Sequence, residues 1–102
     1  MENPDQILIL WSDYMKYRID LRGFDLKMVE NVLRYSDERY FDTVTQRSIV
    51  IGRHDKFLIM VPYEQSGEKV NPITIHATTR QQINFRLRTG RFKYGKNKND
   101  LL

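Results

Sequence analysis

Between Ile73 and Gln82 the chain reads Ile-Thr-Ile-His-Ala-Thr-Thr-Arg-Gln-Gln, a strand that ends and a helix that begins. In an extended chain Ile73, Ile75 and Ala77 share one face, and Thr74 and His76 share the other. Thr79 has Gln82 three residues on, the spacing of a capping box, so a helix is expected from there. A helix N-terminus presents unpaired N–H groups and partial positive charge, and both favour a nearby phosphate. His76 titrates near neutral pH and can accept or donate a proton. Arg80 carries a permanent charge that holds an anion. The chemistry this grouping suits is that of a phosphodiester.

Further candidates follow the same logic. Arg53-His54-Asp55-Lys56 reads as a polar turn that offers Arg53 and Lys56 as cations and His54 as a second proton carrier. Arg86, Arg88 and Arg91 extend the cationic series downstream of Arg80. Each has a plainer reading. His76 suits a packed strand histidine, His54 a solvated hairpin tip, and Arg53 a strand end paired with an acid. Arg80 in the first turn of a helix opposes the helix dipole, a placement against local preference that hints at function. Its plainer reading is an exposed arginine paired with a carboxylate.

Charge sharpens the picture. The chain has 102 residues and a formal net charge of +4, unevenly spread. Residues 1–77 carry ten Lys/Arg against twelve Asp/Glu, a net of −2, whereas residues 78–102 carry seven against one, a net of +6. An acidic partner for the last quarter is the expectation. There are no cysteines, so disulfides and thiolate metal sites are excluded. No apolar run approaches the roughly 18 residues that span a bilayer, and the short Ile7–Trp11 run follows acids, unlike a signal peptide. The default location is the cytoplasm. No Walker loop, zinc motif, dinucleotide loop or nucleophile elbow is present. Asp13 with Asp20, and Asp37 with Glu38, lack a metal-ligating spacing, so neither a metal nor a cofactor is expected.

These residues need elements to position them. Gln6–Trp11 is apolar on both faces and reads as a buried strand. Ser12 is a cap for a first helix and Gly23 its end, with Tyr14, Tyr17 and Trp11 read as core or rim residues. Asp25 caps a second helix, whose Val29, Val32 and Leu33 recur at i, i+3, i+4. Tyr40–Thr43, Arg47–Arg53 and Phe57–Val61 read as strands, the last of them central. A loop is expected over Glu64–Glu68. Val70–Ala77 reads as a final strand that Pro72 confines to an edge or delays until after itself. From Arg80 two periods compete: Ile83 and Leu87 fit a helix, while Ile83, Phe85 and Leu87 also alternate as a strand. The capping box favours the helix, ended by Gly90 and exposing Phe85. The expected plan is a single small α+β domain over residues 1–92. It has a mostly antiparallel sheet, two helices in the N-terminal half, a basic C-terminal helix and a flexible basic tail over residues 93–102.

That plan resembles the small toxins of the RelE/ParE-like superfamily, most closely the BrnT-type group. The resemblance rests on Arg18-Ile19-Asp20-Leu21-Arg22-Gly23-Phe24 followed by the second helix, on the strands Ile49–Arg53 and Phe57–Val61, and on Ile75-His76-Ala77-Thr78-Thr79-Arg80 leading into a basic helix. It covers about residues 6–92. It implies the toxin of a type II toxin–antitoxin system, a metal-independent endoribonuclease acting on mRNA, free or on the ribosome. It also implies a small antitoxin that covers the basic face. Such cleavage needs a base for the 2′-OH, cations or N–H donors for the charged phosphorane, and an acid for the leaving 5′-oxygen. The residues on offer are His76, Arg80, Arg53 and His54 for the reaction, and Lys56, Arg86, Arg88 and Arg91 for holding RNA. The alternative is a non-catalytic RNA- or protein-binding module of the same fold.

Overall fold

Short polar side chains set the helix starts. The structure, a computed structural model, describes residues 3–94. After a 3₁₀ turn over Pro4–Gln6 and strand β1 (Leu8–Ile9), Ser12 caps helix α1 (Asp13–Leu21), its hydroxyl accepting from the Met15 N–H at 3.0 Å. Gly23, at φ +74°, closes the helix, a conformation glycine adopts without steric cost. Asp25 caps helix α2 (Leu26–Tyr35) by accepting from the Met28 N–H at 3.0 Å. Helix α2 turns Val29, Val32 and Leu33 inward, as their spacing predicts. Helix α1 buries only Met15 and Ile19 and leaves Tyr14, Tyr17 and Leu21 outside.

The strands are β2 (Glu38–Asp42), β3 (Arg47–His54), β4 (Phe57–Ser66), β5 (Lys69–Pro72), β6 (His76–Thr78) and, after helix α3 (Arg80–Arg88), β7 (Phe92–Lys93). They form one sheet in the order β1-β5-β4-β3-β2-β7, with β6 also paired to β4. Every pairing is antiparallel except that of β1 with β5. Strand parity then divides the core. Val50, Ile59, Val61, Tyr63 and Val70 face α1 and α2. Tyr40, Ile49, Ile51 and Phe92 enclose Ile83 of α3 on the other side, with Leu58, Met60 and Leu87 around them. Gly52 lets α2 sit close on the sheet, since a Cβ there would lie 2.6 Å from both Val32 methyls. The result is the expected α+β fold.

Several local expectations are corrected. The buried strand over Gln6–Trp11 shrinks to two residues at the sheet edge, and Leu8 is 53% exposed because only β5 flanks it. The turn after β3 is only Asp55-Lys56, with Asp55 at φ +57°, so His54 belongs to the strand and is buried rather than solvated. The loop over Glu64–Glu68 shortens to a tight turn at Gly67, φ +61°, because β4 runs on to Ser66. The final strand splits: β5 pairs with the C-terminal half of β4 and β6 with its N-terminal half. Pro72, which has no N–H to give a ladder, ends β5, and the Ile73 N–H donates to the Pro62 carbonyl at 2.8 Å. Arg80–Arg88 is helix, not strand. Phe92 and Lys93 pair with Asp42 and Phe41, so the expected tail loses Lys93 to the sheet, and its residues 95–102 lie outside the described residues. Among the described residues no helix is long and apolar enough to cross a membrane.

Candidate functional site

The β6–α3 junction is fixed by its own side chains. The Thr79 hydroxyl accepts from the Gln82 N–H at 3.1 Å. The Gln82 side-chain oxygen accepts from the Thr78 hydroxyl at 3.2 Å instead of returning to Thr79, so half of the capping box forms. Just before it, His76 lies opposite Met60, which lies opposite Ile51, which lies opposite Glu38. Directly opposed residues point the same way, so His76 shares the α3 face of the sheet. It is half-buried, and its ring makes no hydrogen bond among the described residues.

Cations surround this imidazole. Burial first, then the positive field of Arg18, Arg22 and Arg86, holds its pKa below the ordinary histidine value, which keeps it neutral at pH 7. Arg18 and Arg22 come from the C-terminal end of α1, one helical turn apart on one side of it. The Arg18 Nη2 donates to the Ile75 carbonyl at 3.4 Å, which ties α1 to the start of β6, while its buried Nε has no hydrogen-bond partner among the described residues. Arg86 comes from α3, its guanidinium 5.6 Å from the centre of the Phe92 ring. None of the three arginines is in an ion pair among the described residues. A neutral proton acceptor therefore sits within unopposed positive charge, the setting that attracts an anion.

The other predicted residues are placed differently. Arg80 is spent on Glu38, bonding its two carboxylate oxygens at 2.5 and 3.0 Å, while the Tyr40 hydroxyl donates to the same carboxylate at 2.6 Å. Burial raises the Glu38 pKa, but the bonds from Arg80 and Tyr40 outweigh it and hold the carboxyl below its usual range. This carboxylate explains why a cation is tolerated in the first turn of α3. It also draws Arg80 toward β2, three strands and about 14 Å from the His76 backbone at the usual strand spacing. Arg91 likewise makes two 3.0 Å bonds to buried Asp42 and clamps β7 to β2.

His54 faces α2, not His76. Its Nε2 accepts from the Asp25 N–H at 2.7 Å, its ring meets Phe24 edge-on at 5.0 Å, and its buried Nδ1 has no hydrogen-bond partner among the described residues. It fastens the α1–α2 corner. Arg53 is exposed on the α3 face opposite Leu58, and Lys56 is exposed in the hairpin turn. Arg88 is the last residue of α3, its guanidinium 5.9 Å from the centre of the exposed Phe85 ring. A shallow groove of about 340 Å³ runs along Gln81, Gln82, Phe85, Arg86, Thr89 and Arg91.

The structure thus brings His76 and Arg86 together and adds Arg18 and Arg22, which the site reading passed over. The available signal was their i, i+4 spacing, which stacks two like charges on one helix face at a small cost. Among the described residues no three His, Asp or Glu side chains gather as a metal-ligand set. No protein-family model, curated protein or solved structure matches the chain. Fold and site together define a small α+β domain with a cationic, histidine-centred site at a sheet edge.

Proposed function

We propose that this chain is the toxin of a type II toxin–antitoxin system of the RelE-like, BrnT-like kind. It acts as an endoribonuclease that cleaves mRNA in the cytoplasm without a metal, and a small antitoxin restrains it by covering the basic face. The observation that carries the reading is His76, neutral and, among the described residues, unbonded beside Arg18, Arg22 and Arg86 with no acid paired to them. The chemistry follows. His76 takes the proton of the 2′-OH, the 2′-oxygen attacks phosphorus, and the arginines hold the phosphorane. The P–O5′ bond then breaks, the 5′-oxygen takes up a proton from the imidazolium or from water, and a 2′,3′-cyclic phosphate and a free 5′-OH remain. A donor set of arginines suits this anion and does not suit a divalent cation.

The test is cleavage of RNA by the purified chain, with and without ribosomes, in the presence of chelator, together with growth on expression of the chain alone. Cyclic-phosphate ends and growth arrest are expected. Soluble expression with unimpaired growth and intact RNA removes the nuclease reading. A second reading, a non-catalytic RNA- or protein-binding module, is favoured by one observation: His54 is on the other face, so the two histidines form no acid–base pair.

A further inference from the structure

The outward face of α1 is built unlike a solvated helix surface. Tyr14, Tyr17 and Leu21 are 54%, 61% and 60% exposed and recur at i, i+3, i+7, so they form one stripe. At 100° per residue Arg18 and Arg22 border that stripe on the side of the core, toward His76. Asp13, Lys16 and Asp20 fall on its far side. The Arg18 guanidinium lies 6.0 Å from the centre of the Tyr14 ring. Exposed aromatic rings therefore alternate with the cations of the His76 site along a single surface.

We propose that this face of α1 is a stacking track for single-stranded RNA, with bases laid on Tyr14 and Tyr17 and the adjoining phosphates held by Arg18 and Arg22, which feeds the scissile phosphate to His76. The proposal rests on the nuclease reading above and adds to it the form of the substrate. Aromatic rings interleaved with cations are how proteins hold single strands irrespective of sequence, since every base has a face to stack. The bases of a duplex already stack on one another and have no face to offer these rings. Two of the three exposed apolar side chains are tyrosines, whose rings suit bases, and the positive charge beside them complements a phosphate backbone. Leu21 continues the stripe beside Arg22 and closes one end of it.

The probe is a fluorescent 2′-O-methyl oligoribonucleotide of about 12 nucleotides, a length within the site sizes of single-strand binders. It lacks the attacking hydroxyl and is not turned over. Binding is read by anisotropy over a salt series, as a single strand and annealed to its complement. Tyr14→Ala and Tyr17→Ala should each weaken single-strand binding about 5- to 100-fold, the usual effect of one lost stacking partner. The salt slope should not change, and Tyr14→Phe should restore affinity. Arg18→Gln and Arg22→Gln should instead each lower the slope by about 0.7. The duplex should bind more weakly and be indifferent to the tyrosines. Both tyrosines are exposed, so the variants fold, which a thermal melt confirms. Parental affinity in both alanine variants, or no binding of the parental protein, overturns the track. If the parental chain cleaves RNA while the tyrosine variants bind normally, the track falls and the nuclease reading stands. If the tyrosines bind the single strand but RNA is never cleaved, the nuclease reading falls and the track stands.

Discussion

His54 and His76 stand on opposite faces of one sheet. His76 shares a cross-strand row with Met60 and Ile51, whereas His54, three residues beyond Ile51 on the same strand, turns to the Asp25 N–H on the α2 side. One histidine serves the corner of two helices and the other lies open to a ligand. A shared acid–base role is thereby replaced by two separate roles, each with its own test.

His54→Ala removes the acceptor of the Asp25 N–H and leaves space beside Phe24. It should destabilise the protein by about 1–3 kcal/mol in urea unfolding. RNA cleavage per folded molecule should stay within a few-fold of the parent. A fully folded variant with a hundredfold loss would place His54 in the reaction after all.

His76→Ala should lower single-turnover cleavage by about 10²–10⁴ with the fold intact. The pH dependence carries a definite sign. Burial and three arginines depress the folded-state pKa of His76, so the unfolded chain binds more protons between that value and the ordinary one. Stability should therefore decline as pH falls below about 6.5 and level off below the folded value. The acid limb of kcat/KM should likewise fall below about 6.5, because the base works only when neutral. An NMR titration of His76 with a midpoint at or above the ordinary value contradicts both.

Arg80 and Arg86 separate structure from chemistry on one helix. Arg80 is paired with Glu38, and Arg86 has no acid partner among the described residues. Arg80→Ala should cost about 0.5–1 kcal/mol of stability, as a half-exposed pair does, and leave cleavage little changed. Arg86→Ala should slow cleavage about 10²–10³-fold without such a loss of stability, and Arg18→Ala should slow it as much while also losing the tie to the Ile75 carbonyl. Equal kinetic losses for Arg80→Ala and Arg86→Ala would show that Arg80 leaves Glu38 when RNA binds.

Gly52→Ala should cost about 1–3 kcal/mol, because its methyl meets Val32 well inside contact distance and α2 has to lift. Pairing it with Val32→Ala should recover much of the loss, a coupling that a double-mutant cycle of melting curves reads directly. Simple additivity of the two losses would mean that α2 is not seated on β3 at that point.

Local signals were legible in the chain and distant pairings were not. Ser12, Asp25 and Thr79 announce their helices because a cap is a contact within three residues. The apolar run of β4 and the stripe of α2 are equally local. The partnership of Arg80 with Glu38 spans 42 positions, and no local preference could reveal it. What was readable was that Arg80 opposes its helix dipole and that its plainer reading is a pair with some carboxylate, and the structure supplies that carboxylate as Glu38. His54 was within reach, since parity from Val50 through Gly52 assigns it to the α2 face. The polar residues beside it made the strand seem to end one residue early. Arg18 and Arg22 were hidden for the opposite reason, since charges on a short helix look like ordinary solvated surface until β6 is laid beside them.

The bond from Arg18 to the Ile75 carbonyl joins positions 57 apart, and β1 finds its parallel partner β5 only across a similar stretch of chain. Order of synthesis therefore matters. The arginines of α1 emerge from a ribosome before β6 and α3 and have nowhere to dock until those elements have followed, so the charged pocket closes only after residue 88 has been made. A fragment that stops before residue 76 has these arginines without the imidazole, and one that begins after residue 22 has the imidazole without them. Neither fragment holds the whole charged pocket, which needs both stretches of the chain.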